Sequence, residues 1–273
     1  MAKISLGIDI GFSSIKAVAL SHDKTPPRLM SLGTINSPQP GMISELDIEL
    51  EAVATAIRKL LSAAKIETRE CVAALPESKV FTRVIDDLPY LTDKELPSAI
   101  RYASEEFIPL PVNDVSLNWQ ILSRPREKNG RTVVFVVASP KNLINKYVKV
   151  LNMAGLKPRA LETEIIASTR ALVENNPFSP TSLIIQLSTT TTDLAVVSKG
   201  LILLTRSIST GGAATTRALA QHFNFELAQA EAPSGPGFSF GSLGENTYLW
   251  IIGIVNVILI ILIIIVAIRI SRR

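Results

Sequence analysis

The 273-residue chain has a single cysteine, Cys71, so no disulfide can form within it. A lone thiol fits a reducing compartment. Histidine is nearly absent: His22 and His222 are the only two, and neither lies in a ligand-spaced cluster. Metal or acid–base chemistry built on imidazole therefore has little to work with. Aromatic residues make up only 5% of the chain. The N-terminus, MAKISLGIDI, lacks the long uninterrupted apolar stretch of a signal peptide. A basic stripe is also missing. The formal charge is +4, but Arg269, Arg272 and Arg273 account for three of the 28 basic residues, and the remaining 25 nearly balance 24 acids. No nucleic-acid partner is expected from such a balance. Glu105-Glu106 is the one obvious acid pair in a helical stretch, and it reads as a solvated helix end.

Apolar residues are plentiful, at 47%, enough for two domains or one large one. The stretch that organises the N-terminal part is GIDIGFSSIK, residues 7–16. Ile4, Leu6, Ile8 and Ile10 alternate before it, and a second apolar run, Ile15 to Leu20, follows. Strand, glycine-bearing turn and strand make a hairpin whose loop can turn backbone N–H groups toward phosphate oxygens. An acid at Asp9 can hold a metal or its water, and Lys16 can meet a phosphate. An ordinary buried hairpin with a solvated lysine satisfies the same pattern.

Further along, a short strand is expected near Leu29 to Thr34. Leu50, Val53, Ile57, Leu60, Leu61 and Ala64 recur at helical spacing, predicting a helix from about Asp47 to Lys65. Cys71 to Leu75 and Val80 to Ile85 read as strands. Thr92 and Glu95 form a T-x-x-E capping box ahead of a helix carrying Leu96, Ile100, Ala103 and Phe107. Strands are expected at Val115 to Leu122 and Thr132 to Ala138. Ser139 as N-cap and Pro140 at the first helical position predict a helix that Gly155 ends. Leu161 to Val173 is expected as a further helix. Leu183 to Leu187, Leu194 to Val197 and Leu201 to Ile208 read as strands, and Gly211-Gly212 leads into a helix from about Ala213 to Phe223. Residues 183–223 thus repeat the opening plan of hairpin, polar loop, strand and helix, which points to a two-lobed design able to clasp a phosphate chain.

At Pro233 the composition changes. Residues 233–247 are rich in Gly, Ser and Pro, as in a flexible linker. Residues 248–268 are then apolar except for Asn256, long enough at about 1.5 Å per residue to cross the roughly 30 Å core of a bilayer as a helix. Tyr248 and Trp250 suit one interface and the terminal arginines the other. The absence of a signal favours a cytoplasmic N-terminal domain, whereas the arginine cluster favours a cytoplasmic C-terminus. The first is preferred.

Residues 72–122, VAALPESKVFTRVIDDLPYLTDKELPSAIRYASEEFIPLPVNDVSLNWQIL, closely resemble the type IV pilus assembly PilM family. So do residues 133–164 and the stretch LLTRSISTGG, residues 203–212; the resemblance covers residue 1 to about 231. It implies an α/β fold with actin-like (ribonuclease H-like) lobes, related to the division protein FtsA, and ATP bound between them. The implied layout is a first lobe over 1–77, completed by 159–177, and an inserted small α/β subdomain over 78–158. An incomplete second lobe over 178–232, a linker over 233–247 and one transmembrane helix over 248–269 follow. The family continues well past Glu231, where this chain has the linker and the apolar run.

Carried over by position, the first phosphate loop is Asp9, Gly11, Ser13, Ser14 and Lys16, with Asp9 acting through Mg²⁺. Thr189 and Thr190, with Gly211 and Gly212, complete the implied nucleotide site. Three departures stand out. Phe12 replaces a small hydroxyl residue, Gln186 stands where the family has Asp, and Ser188 stands where it has Gly. An amide cannot replace a carboxylate that orders Mg²⁺, and a Cβ hinders close approach of phosphate to backbone. The resemblance therefore implies a scaffold of the pilus platform more than a working ATPase. It sits at the bacterial inner membrane, its soluble domain facing the cytoplasm. The implied partners are the N-terminal cytoplasmic peptide of a PilN-type membrane protein, the membrane itself and, by self-association, a second copy. ATP and Mg²⁺ are the implied cofactors. An ATPase controlling the platform, an FtsA-like division role and a rearranged relative without independent function remain as alternatives.

Overall fold

The computed structural model describes residues 4–23, 26–125, 127, 129–173, 178, 180–224 and 226–227. The expected linker and membrane span, 233–269, lie outside the described residues. Among the described residues, no helix is long and apolar enough to cross a membrane. The chain divides into two compact units, Met1–Ala214 and Thr215–Arg273.

The first unit opens with an antiparallel meander of β1 (Ile4–Ile10), β2 (Ser14–Ser21) and β3 (Arg28–Asn36). Helix α1 (Asp47–Ala63) follows and buries Leu50, Val53, Ile57, Leu60 and Leu61 on one stripe, as its spacing demands. It ends in a Schellman turn: Lys65 takes a φ of 53°, and the Ile66 N–H reaches back to the Leu61 carbonyl, 2.9 Å. Strand β4 (Glu70–Leu75) then pairs in parallel with β1. The stripe of α1 closes on Leu6, Ile8, Ile10, Ile15, Ala17, Cys71 and Ala73. Gly33 lets α1 approach, because a Cβ there would stand 2.8 Å from Leu60 Cδ1.

The chain next builds a separate three-stranded antiparallel sheet from β5 (Phe81–Leu88), β6 (Val115–Ser123) and β7 (Thr132–Pro140), in the order β5-β7-β6. Helix α2 (Leu96–Ser104) lies over β5 and β7, with Leu96 and Ile100 against Ile85, Leu88, Val134 and Val136. The Glu95 carboxylate accepts both the Thr92 N–H (2.9 Å) and the Thr92 hydroxyl (2.7 Å), fixing the turn before α2.

Helix α3 (Lys141–Met153) falls within the expected insert, yet its Tyr147, Val150 and Leu151 belong to the first core. Its start also differs from expectation. Strand β7 runs on through Pro140, and Ser139 makes no side-chain cap, because Ser139 and Pro140 continue the pairing with β6. Gly155 ends α3 as expected, with a φ of 78°. The helix expected over 161–173 is shorter. Strand β8 (Lys157–Thr163) pairs in parallel with β4, and α4 (Glu164–Val173) begins only afterwards. Residues 157–163 are extended because β4 offers them a free edge. The first sheet is thus five-stranded, in the order β3-β2-β1-β4-β8.

Strands β9 (Ser182–Leu187), β10 (Thr192–Ser198) and β11 (Leu201–Ile208) form a second meander, ordered β11-β10-β9. One face meets α4 and β7: Ile184, Ala195, Val197 and Ile202 cluster with Ile165 and Phe135. Helix α5 (Gly212–Phe223) begins in the first unit. In the second unit, the His222 and Phe223 rings meet edge-on, 4.9 Å between centroids.

Candidate functional site

The loop between β1 and β2 and the loop between β9 and β10 meet. Ser13 Oγ and Thr189 Oγ1 stand 2.8 Å apart, bridging residues 176 positions apart in sequence. The first loop is held from below. The Gly11 N–H donates to the Ser14 carbonyl (3.0 Å), the Ser37 hydroxyl donates to the Gly11 carbonyl (2.6 Å), and the Gln39 amide donates to the Phe12 carbonyl (2.8 Å). Gly11 is required by closeness, since a Cβ would lie 2.9 Å from the Ser14 carbonyl oxygen. Lys16 Nζ donates to Asp9 Oδ2 at 2.9 Å. The other Asp9 oxygen is buried without a hydrogen bond.

The second loop is held by the start of α5. The Gly212 N–H donates to the Ser188 carbonyl and the Ala213 N–H to the Thr189 carbonyl, each at 2.9 Å. Gly211 lies so close that a Cβ would stand 2.4 Å from the Ser188 oxygen and 2.7 Å from the Thr191 nitrogen. Thr190 is exposed at the loop tip. The orphan amides of a helix N-terminus are anion donors when free. In α5 the first of them are engaged by the very loop expected to share a phosphate with them.

Sequence reasoning marked Gln186 as a departure, and the structure shows what it does. Its amide nitrogen donates to Glu164 Oε2 (3.1 Å), and its oxygen accepts from the Ser168 hydroxyl (2.7 Å). Gln186 therefore ties β9 to the first two turns of α4. Glu164 was not singled out by sequence. Its carboxyl is pushed up to about 7 by burial first, then by the charges of Asp9 and Asp193, with Lys16 opposing. Asp193 is 1% exposed; Thr191 donates to one oxygen at 3.4 Å, and the other has no partner. Glu77, buried beyond β4, accepts from Thr205, whose hydroxyl also meets that of Thr82. Burial raises the Glu77 carboxyl too. None of these acids carried a local signal. Glu164 stands where an acid suits any helix N-terminus, and its burial comes from distant strands.

The site therefore brings Asp9, Asp193 and Glu77 close enough to Glu164 to disfavour its charge, with Lys16 opposing them. Such a field retains a proton on Glu164 near neutrality and opposes a polyanion. Among the described residues, no group of three His, Cys, Asp or Glu is placed to hold a metal ion. Of the residues expected to hold nucleotide, Ser13 and Thr189 are brought into contact, Asp9 and Lys16 are paired, and Gly211 and Gly212 support the second loop. This donor set does not fit a Mg²⁺-triphosphate: its helix amides are taken, its carboxylate position is an amide, and its lysine is paired.

A family model described as type IV pilus assembly protein PilM matches residues 7–237. Among solved structures, the chain is similar to one titled the PilM-PilN type IV pilus biogenesis complex. That match has 29% identity and a TM-score of 0.71, covering 83% of this chain and 68% of that one. In fold alone it is similar to the ethanolamine utilization protein EutJ from Carboxydothermus hydrogenoformans (16% identity, TM-score 0.51, 85% of this chain and 61% of that one). It is likewise similar to the cytoplasmic domain of EpsL, an inner membrane component of the type II secretion system of Vibrio cholerae (14% identity, TM-score 0.50, 86% and 79%). The sheet order β3-β2-β1-β4-β8 and the matching meander β11-β10-β9 agree with a mixed α/β actin-like fold. On the extent of the family match, this chain belongs to the type IV pilus assembly protein PilM family.

Proposed function

We propose that this chain is an adaptor of a type IV pilus inner-membrane platform and binds the cytoplasmic N-terminal peptide of a PilN-type membrane protein. The observation that carries this reading is the likeness, over 83% of the chain, to a structure of a PilM-PilN complex. The family match over residues 7–237 supports it. The proposal places the domain on the cytoplasmic face of the inner membrane, with the apolar run 248–268 as its anchor. It keeps the division into a first lobe, an insert over 78–158 and a partial second lobe over 178–232. The two phosphate-type loops act in it as a clasp between the sheets through Ser13 and Thr189, and Asp9, Gly11, Ser14, Lys16, Thr190, Gly211 and Gly212 shape that clasp. Nucleotide binding is the second reading, favoured by the actin-like fold and opposed by the donor set.

Calorimetric titration of the full chain with a PilN-type N-terminal peptide tests the first reading. Saturable binding in the micromolar range is expected; no heat at high micromolar peptide sinks it. Titration with ATP and Mg²⁺ tests the second. No saturation is expected, and micromolar binding that disappears in Asp9→Ala would restore the nucleotide site.

A further inference from the structure

Edge strands of natural sheets are guarded by charges, prolines or covers, because an open row of N–H and C=O groups is a template for another strand. The edges β3, β5, β8 and β11 each carry at least one charged residue, whereas β6 and β9 carry none. Of the two, β6 is the longer, nine residues reading VSLNWQILS. It pairs with β7 along one side and with no strand along the other among the described residues. Residues 118–121 are all exposed, with Trp119 at 38% and Ile121 at 37%. Helix α2 lies over β5 and β7 and its cluster reaches Leu117 of β6, so the α2 side of β6 is open at Trp119 and Ile121. A groove of about 300 Å³ runs there, lined by Pro97, Ser98, Arg101, Val115, Leu117 and Trp119.

The sequence of β6 states what fits beside it. A twofold axis normal to a sheet keeps each strand's faces. In antiparallel self-pairing, opposed residues must therefore lie on one face and sit symmetrically about a central residue. Centred on Trp119, the pairing sets Leu117 against Ile121, Asn118 against Gln120 and Trp119 against its own copy. Across these five residues aliphatic meets aliphatic, amide meets amide and aromatic meets aromatic; beyond them Ser116 meets Leu122 and Val115 meets Ser123, and no like charges are opposed along the strand. We propose that β6 is a homotypic docking edge: a second copy of this chain pairs with it antiparallel, joining two three-stranded sheets into one of six. Leu117, Trp119 and Ile121 of each copy share the α2 face, so the two tryptophans pack at the axis beside the grooves. This inference stands apart from the PilN reading, whose failure would leave it untouched.

Register-specific cross-linking of the full chain in mild detergent tests it. One size-tagged copy carries Asn118→Cys and the other Gln120→Cys; the native Cys71 is buried and does not compete. Mild oxidation of the mixture is expected to join an Asn118→Cys copy to a Gln120→Cys copy about tenfold faster than it joins two copies of either variant, because only the mixed pair of thiols is directly opposed. Trp119→Lys on both copies is expected to abolish this product, since it opposes two ammonium groups, and mixing Trp119→Lys with Trp119→Glu copies is expected to restore it. Equal rates for the mixed and the like pairs, or no cross-link at all, overturn the proposal. Because the thiol pair is read in a chain with Trp119 intact, misfolding of a Trp119 variant does not spoil the test.

Discussion

The five-stranded sheet and the C-terminal three-stranded sheet both start as a meander of three antiparallel strands, β3-β2-β1 in one and β11-β10-β9 in the other, and they end up buried to different depths. In the first, β4 and β8 extend the meander, and α1 with α3 seals one face, leaving Ile15 and Ile57 fully buried, while Val18 of β2 and Leu29, Met30 and Leu32 of β3 stay exposed. In the second, one face is sealed by α4 and β7, while Leu183, Ile185 and Leu187 of β9 and Leu204 and Ile208 of β11 stay exposed. The local sequences are equally apolar. What separates a buried face from an open one, in either sheet, is whether another element reaches it, since burial is a property of neighbours rather than of a strand.

Ile57→Ala probes the sealed side and should be the largest effect. The side chain is wholly buried, so about 2–5 kcal/mol should be lost, read as a lower midpoint in urea unfolding. Leu187→Ser, at a side chain 69% exposed, should stay within about 0.5 kcal/mol by the same measurement. Equal losses would erase the contrast between the sheets.

Gly211→Ala tests whether the second sheet has a rigid point despite its open face. The added Cβ meets backbone atoms of the β9–β10 loop, which cannot step aside as a side chain can, and about 1–3 kcal/mol of destabilisation is expected. Gly212→Ala, whose nearest atom would be 3.8 Å away, serves as the mild control. Loss of the Ser13–Thr189 contact in Gly211→Ala, followed by hydrogen exchange in the β1–β2 loop, would support the reading of the two loops as one clasp.

A smaller effect than that of Gly211→Ala concerns Glu164, which joins the two regions through Gln186. Folding raises its carboxyl from 4.5 to about 7, so the folded chain holds a proton that the unfolded chain releases. Stability contributed by the neutral acid is complete below about pH 4.5 and falls as pH rises through 7. Glu164→Gln keeps an acceptor for the Gln186 amide and removes the charge. It should flatten the pH dependence of the unfolding midpoint across that window, a gain on the order of 1–2 kcal/mol above pH 7. An unchanged slope would show that burial does not raise the Glu164 carboxyl.

Local pattern made much of this legible. Alternation marked β1 and β2, and the stripe Leu50 to Leu61 marked α1. The Thr92–Glu95 pair marked the turn before α2, and glycine spacing marked the loops. It failed where a partner strand decided the outcome. Lys157–Thr163 has no strong alternation and contains Pro158, and it becomes β8 only because the edge of β4 is there to receive it. Ser139-Pro140 has the chemistry of a helix start but is held extended by β6. Within the candidate site, Asp9 could be named in advance from its place beside a glycine turn, and Ser13 and Thr189 from the resemblance to the PilM family. Glu77, Glu164 and Asp193 could not, because a carboxylate looks the same in sequence whether water or a second sheet surrounds it.

The sequence alone determined the two meanders, the helix stripes and the loop glycines, since each depends on contacts within a few residues, whereas the departure at Gln186 shows only against the family pattern. Only the tertiary structure decided that Ser13 would touch Thr189, that the amides opening α5 would be taken by the neighbouring loop, and that Glu164 would be buried among the charges of Asp9, Asp193 and Glu77. Those outcomes depend on chain segments far apart in sequence, and the field each group feels is set by what folding places beside it.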